Sequence, residues 1–302
     1  MTGFAANHVS GSTDVASEFL GELERSIATD VSTTPPQFRA SLLRRLRAAQ
    51  AAQPSMALIH QLAARALDVA DTALRRGDSL PDLRRHLAAS CAAERDDLAS
   101  ARASVAKQAR SLIVERGGWI ATLSASAAVR DALLLAHRDG LMPRALIAES
   151  RPLGEGRALA AELAAAGVPV WNVVDAALPL LISQARMVWI GADAVTDHGV
   201  LNKIGSFAAA LAAREHSVPI YALASRRKFL PAATAALRIV EMPADEVWED
   251  PPAEVRARNV YFESVPLALL RGVVVEDAVI GAAESVALAR ERALPDELAT
   301  AP

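Results

Sequence analysis

The chain has 302 residues, of which 52% are apolar and 22% charged, with a formal net charge of -3 and one cysteine, Cys91. That length and apolar content allow two modest domains or one large one around a sizeable core, and the slight acidity excludes the basic field that steers proteins onto nucleic acid or anionic membrane. One cysteine excludes an intramolecular disulfide and a cysteine-rich metal site, which suits a reducing cytoplasm.

The N-terminal stretch MTGFAANHVSGSTDVASEFL lacks the basic start and continuous apolar run of a signal peptide, and no later stretch runs eighteen apolar residues without charge. A cytoplasmic protein that neither spans nor binds a membrane is expected. From about Thr13 to Arg116 apolar residues recur at helical spacing, as in FRASLLRRLRAAQ and LIHQLAARALDVADTALRR, which predicts a helical bundle over residues 1–116. Breaks fall at residues 33–37, 53–55 and 76–82, where proline and glycine punctuate helices and Ser79 or Asp82 can cap the next one.

After Gly117 and Gly118 the period changes. Short apolar runs alternate with alanine-rich helical segments, predicting an α/β, Rossmann-like domain over residues 117–302 with a mostly parallel sheet covered on both faces. The expected strands are WIATL (119–123), RALIA (144–148), VPVWNVV (168–174), MVWIG (187–191), VPIYALA (218–224) and one of LRIVEM or GVVVE. Helices are expected near 126–138, 157–166, 176–185 and 203–216. The final PDELATAP is expected to fray.

In an open α/β sheet, ligands bind beyond the carboxyl ends of the strands, so the first residues after each strand carry the functional signal. Here they are polar: Ser124 and Ser126, then ESRPLGEGR, Asp175, Asp193 and SRRK. Ser126 stands at a helix start, where free amides suit a phosphate and a serine also makes an ordinary cap. Asp193 follows a strand too apolar for a sheet edge, so its carboxylate is expected in a partly buried crevice, paired or with a raised pKa, as the acid/base group. Asn202 and Lys203 are expected to open the next helix, where a lysine in the first turn calls for a nearby anion. Arg151 and Lys228 supply further cations, and His198 belongs to an exposed turn. The remaining histidines lack metal-ligand spacing. No GxGxxG, P-loop, GxSxG or HExxH motif occurs, so no cofactor and no metal are expected.

In order, the segments ESRPLGEGRALAAELAAAGVPVWNVVDAA, GADAVTDHGVLNKIGSFAAALAAREHSVPIYALA and FESVPLALLRGVVVEDAVI resemble the family that unites the alpha, beta and delta subunits of translation initiation factor 2B with methylthioribose-1-phosphate and ribose-1,5-bisphosphate isomerases. The likeness covers about residues 110–285. It implies an N-terminal helical domain, a Rossmann-like domain and a homodimer formed through the latter. For isomerase members it implies aldose-to-ketose conversion of a ribose 1-phosphate by a cysteine after the first strand and the aspartate of GAD. Asp193 matches that aspartate, and Ser126, Asn202, Lys203 and Lys228 match ligand-binding positions. Ser124 occupies the cysteine position, and a hydroxyl is a far weaker acid than a thiol. The arginine–glycine motif that isomerases carry near their N-terminus is not evident. The expected ligand is a phosphorylated pentose or nucleoside monophosphate, with Asp193 as base, Ser124 or a water replacing the thiol, and Arg151 beside the phosphate. The alternative is a non-catalytic, alpha-like regulatory or assembly subunit.

Overall fold

The computed structural model describes residues 3–299. Helices come first: α1 (Gly3–Ala6), α2 (Ser12–Thr29), α3 (Pro35–Ala52), α4 (Ala57–Arg76) and α5 (Leu80–Arg110). Their limits follow from local chemistry. The Thr34 and Ser79 hydroxyls accept the amide protons of Gln37 and Asp82 and so cap α3 and α5, while Gly77, at φ 73°, ends α4 in the left-handed conformation that costs glycine least. Apolar stripes from α2, α3 and α4, with Phe19, Leu46, Ile59 and Leu67 fully buried, interlock with Leu83 and Leu87 of α5 into one core.

Strands and helices then alternate: β1 (Trp119–Leu123), α6 (Ala127–Arg138), β2 (Arg144–Ala148), α7 (Glu155–Ala165), β3 (Val170–Val173), α8 (Leu178–Leu181), β4 (Ala185–Ile190), β5 (Ala194–Val195), β6 (Val200–Lys203), α9 (Ser206–Glu215) and β7 (Ile220–Leu223). After a long excursion come β8 (Phe262–Val265), β9 (Gly272–Val274), β10 (Val279–Ile280), α10 (Ala282–Arg290) and α11 (Asp296–Ala299). Seven strands form a sheet in the order β10-β9-β7-β4-β1-β2-β3, parallel except for β10. β4 is central, and Val188, Trp189 and Ile190 are wholly buried, as the continuous apolar run requires. One face packs on α6, α7 and the last turns of α5, the other on α8, α9 and α10. The expected α/β architecture with a mostly parallel sheet is therefore present.

Three local expectations differ from the structure, and one open choice is resolved. Asn202 and Lys203 do not open a helix: they end β6, which pairs antiparallel with β5 and β8 in a separate three-stranded sheet, and α9 starts only after Gly205 at φ 101°. The helix expected over 176–185 shrinks to α8 between two 3-10 turns. Of the two late strand candidates GVVVE supplies β9, whereas LRIVEM makes only a single bridge, Glu241 to Val260. The expected loose tail is docked as far as Ala299: α11 buries Leu298 in the helical core, and Gln50 Nε2 donates to the Leu298 carbonyl at 3.0 Å. Residues 300–302 of that tail lie outside the described residues. Among the described residues no helix is long and apolar enough to cross a membrane.

Candidate functional site

The carboxyl ends of β1, β4 and β7 and the start of α7 border one small cavity. Its walls include Ser124, Ser126, Asp193, Asn202, Lys203 and Lys228, six of the seven expected site residues. The seventh, Arg151, is exposed and absent from the lining; its amide and that of Ser150 donate to the two Asp175 carboxylate oxygens at 2.8 Å each. Asp175, another strand-end acid, thus braces the loop after β2 rather than facing the cavity.

Asp193 is only 8% exposed. Its amide donates to the Leu201 carbonyl at 2.8 Å and its own carbonyl accepts the first amide of α4, from Ala57, at 2.9 Å, so sheet and helical bundle together fix its backbone. Burial pushes the carboxyl above its ordinary range, opposed by the Lys228 charge, a Ser12 hydroxyl and the Lys203 charge. Lys228, one residue of a 3-10 turn after β7, is 7% exposed and donates to the Ala192 carbonyl at 2.7 Å and to Ser12 Oγ at 3.0 Å. Burial lowers its pKa, and Asp193 pulls in the other direction. It differs from its neighbours in the basic run: Arg226 pairs with Asp277 and Arg227 with Glu94.

Lys203, 2% exposed, forms a buried ion pair with Glu155 at the first position of α7, its ammonium 4.5 Å from the centre of the Tyr261 ring. The carboxylate partner inside the protein replaces the anion that a lysine at a helix start was expected to need. The Asn202 amide donates to Ser206 Oγ at 2.8 Å, and Ser206 in turn to the Lys203 carbonyl at 2.6 Å, locking the turn into α9. Gly191 makes room for this arrangement: a β-carbon there would press on Ser126 Cβ at 3.0 Å and Asn202 Oδ1 at 3.2 Å.

Ser126 caps α6, so the structural role and the cavity position coincide in one side chain. Ser124 lies in the left-handed region at φ 63°, sparsely populated by residues other than glycine and costly unless its surroundings hold it. Its amide donates to Ser150 Oγ at 2.7 Å and its hydroxyl to Glu155 Oε1 at 3.4 Å.

Three polar cavity residues were not among those expected, although Glu155 lies within the ESRPLGEGR stretch. Glu155 reaches the cavity because α7 begins hard against β2: a β-carbon on Gly156 would overlap the Ala148 carbonyl oxygen. His8 and Ser12 come from the other end of the sequence, where α2 starts at Gly11 against Ala125. His8 is half-buried edge-on to Tyr261, and burial lowers its pKa. Ser12 opens α2 after Gly11, and its contact with Lys228 joins segments 216 residues apart.

Two acids and two lysines therefore line one small, largely buried space beside the capped start of a twelve-residue helix. Such a space can hold an anion against helix amides and cations while carboxyl groups exchange protons with hydroxyls.

A model of the Initiation factor 2 subunit family matches residues 8–281. Among curated relatives, methylthioribose-1-phosphate isomerase of Synechococcus sp. (strain CC9902) is 36% identical over 174 residues, 54% of this chain and 52% of its own length. A putative translation initiation factor eIF-2B subunit 2-like protein of Pyrococcus furiosus is 34% identical over 170 residues, 56% of this chain and 59% of its own. The chain thus spans between half and three fifths of the length of these relatives. Of solved structures, the Pyrococcus horikoshii OT3 translation initiation factor eIF-2B superposes with a TM-score of 0.78 at 23% identity, covering 92% of this chain and 94% of that one. The 5-methylthioribose 1-phosphate isomerase of the same organism gives 0.73 at 21%, covering 92% and 82%. At those identities the superpositions speak for the fold, while the family match spans α2 to β10 and with them the cavity: the chain belongs to the Initiation factor 2 subunit family.

Proposed function

We propose that the strand-end cavity binds a phosphorylated pentose or a nucleoside monophosphate and that the bound pentose is interconverted between aldose and ketose forms. The observation that carries this is the buried acid: Asp193, held by backbone bonds from two parts of the fold and pushed toward its protonated form, beside Lys228, Lys203 and the start of α6. The phosphate binds at the amides following Ser126, with Asn202, Lys203 and Lys228 toward phosphate or ring oxygens and Asp193 toward the sugar. Burial raises the Asp193 pKa while the Lys228 charge opposes it, and a buried carboxyl beside a cation is a candidate for proton transfer. Relatives named as methylthioribose-1-phosphate isomerases agree with this assignment.

The chain acts as a homodimer in this proposal. Trp171 and Val174 at the β3 edge of the sheet and Leu180 on α8 are 46%, 58% and 74% exposed, an apolar cost that a second copy offsets.

A second reading, a non-catalytic regulatory or assembly subunit, is favoured by two features: Glu155 already neutralises Lys203, and Ser124 stands where a stronger acid would serve catalysis better. Thermal melting with a panel of pentose phosphates and nucleoside monophosphates separates the two, since a ligand at a hundred times its Kd adds roughly 2.7 kcal/mol. Asp193→Asn should then lower turnover by about a hundredfold to ten-thousandfold with ligand-induced stabilisation nearly intact. Absence of any shift across the panel leaves the assembly role, and full turnover in the variant removes Asp193 from the chemistry.

A further inference from the structure

Converting a cyclic aldose 1-phosphate to its ketose requires protons to move at two kinds of atom. One group must serve the oxygens, protonating the ring oxygen as the C1–O bond opens and later accepting the C2 hydroxyl proton. Another must remove the C2 proton and deliver one to C1. Asp193 suits the first task. The Ser124 hydroxyl cannot perform the second, because its pKa lies far above neutrality and its proton is directed to Glu155 Oε1.

Glu155 has the chemistry that Ser124 lacks. It lines the same cavity, is 2% exposed, and occupies the first position of the eleven-residue helix α7, where the helix dipole favours its anion. Its Oε1 is occupied by Lys203 and Ser124. Its Oε2 is buried without a hydrogen-bond partner, an expensive arrangement in a folded interior. Glu155 belongs to the cavity lining, and its Oε2 is an acceptor that the protein itself leaves unused. Burial raises the Glu155 pKa, and the Lys203 charge opposes it.

We propose that Glu155 is the second acid/base group of this site, carrying the proton between C2 and C1 while Asp193 serves the oxygens. It rests on the isomerase activity proposed above. The step balances. Asp193 gives its proton to the ring oxygen as the C1–O bond breaks; the Glu155 carboxylate takes the C2 proton, and that C–H electron pair becomes the C1–C2 double bond of an enol phosphate. Asp193 then accepts the enol hydroxyl proton as the C2 carbonyl forms, and Glu155 returns a proton to C1. Both acids end as they began and no oxidant or reductant is consumed.

The experiment is aldose-to-ketose conversion of a panel of pentose 1-phosphates, ribose 1-phosphate first, followed by magnetic resonance. Wild-type protein should convert one of them, Glu155→Gln should convert it about a hundredfold more slowly or worse, and Ser124→Ala should lose less than about tenfold. Because Glu155→Gln leaves the Lys203 charge without its acid, ligand-induced thermal stabilisation reports whether that variant is folded. Glu155→Asp, which keeps the charge pair, provides the second arm: slower by about tenfold, with the low-pH limb of kcat/KM retained, whereas Glu155→Gln loses that limb. Conversion at the wild-type rate in Glu155→Gln overturns the role of Glu155 alone. No conversion by the wild-type protein of any sugar of the panel overturns the isomerase assignment and Glu155 with it.

Discussion

His60 supplies a test of the structure through pH. It is wholly buried on α4, with Nε2 3.1 Å from the Pro54 carbonyl and Nδ1 2.9 Å from the Gln50 amide nitrogen. These partners fit one neutral tautomer: Nε2–H donates to Pro54 and Nδ1 accepts from Gln50, whose other proton goes to Leu298 in the C-terminal helix. Burial lowers the His60 pKa to about 4, against 6.5 for the free side chain. The unfolded chain therefore binds a proton that the folded one refuses, and stability must rise with pH between about 4 and 6.5, being complete above and lost below. At 1.36 kcal/mol per pKa unit, the loss on going from pH 8 to pH 5 is about 2 kcal/mol. Urea unfolding of wild-type protein and His60→Gln at both pH values isolates it, since every other titrating group is common to the pair. The variant should lose about 2 kcal/mol less than the wild type on acidification. Equal losses would show that His60 is protonated in the fold and would refute the hydrogen-bond assignment.

Other consequences can be measured on the same protein. Leu298→Ala, at a position with no exposed surface, should cost about 2–4 kcal/mol in urea unfolding, whereas a frayed tail would give a change near zero. Gly156→Ala should force α7 away from the Ala148 carbonyl, lowering stability by about 1–3 kcal/mol and weakening ligand-induced stabilisation; a neutral result in melting would mean that the helix start is not the rigid mount of Glu155.

What was legible in the sequence was governed by local rules. Strands β1, β2, β4 and β7 announce themselves as apolar runs because a parallel sheet covered on both faces tolerates little else. Once those strands are parallel, their carboxyl ends share a rim, so Ser124, Ser126, Asp193 and Lys228 are found by counting one to five residues past each strand. Arg151 fails under the same rule, because the loop after β2 turns its backbone onto Asp175 and leaves the side chain outside.

Pairings between distant segments were not legible. The alanine-rich run beyond Asn202 and Lys203 has helical composition and draws both into a helix on sequence alone; their strand character comes from β8, some sixty residues on, and the break from Gly205. The acid expected near Lys203 was inferred as a bound anion because the sequence shows no neighbour for it, yet the fold supplies Glu155 from forty-eight residues earlier. That substitution bears on function. A lysine already neutralised by a buried glutamate attracts a phosphate less strongly than a free one, so binding must lean on helix amides and on Lys228. The same glutamate gives the cavity a second carboxyl group for proton transfer. Chemistry absent from position 124 is thus available at position 155, one hydrogen bond away.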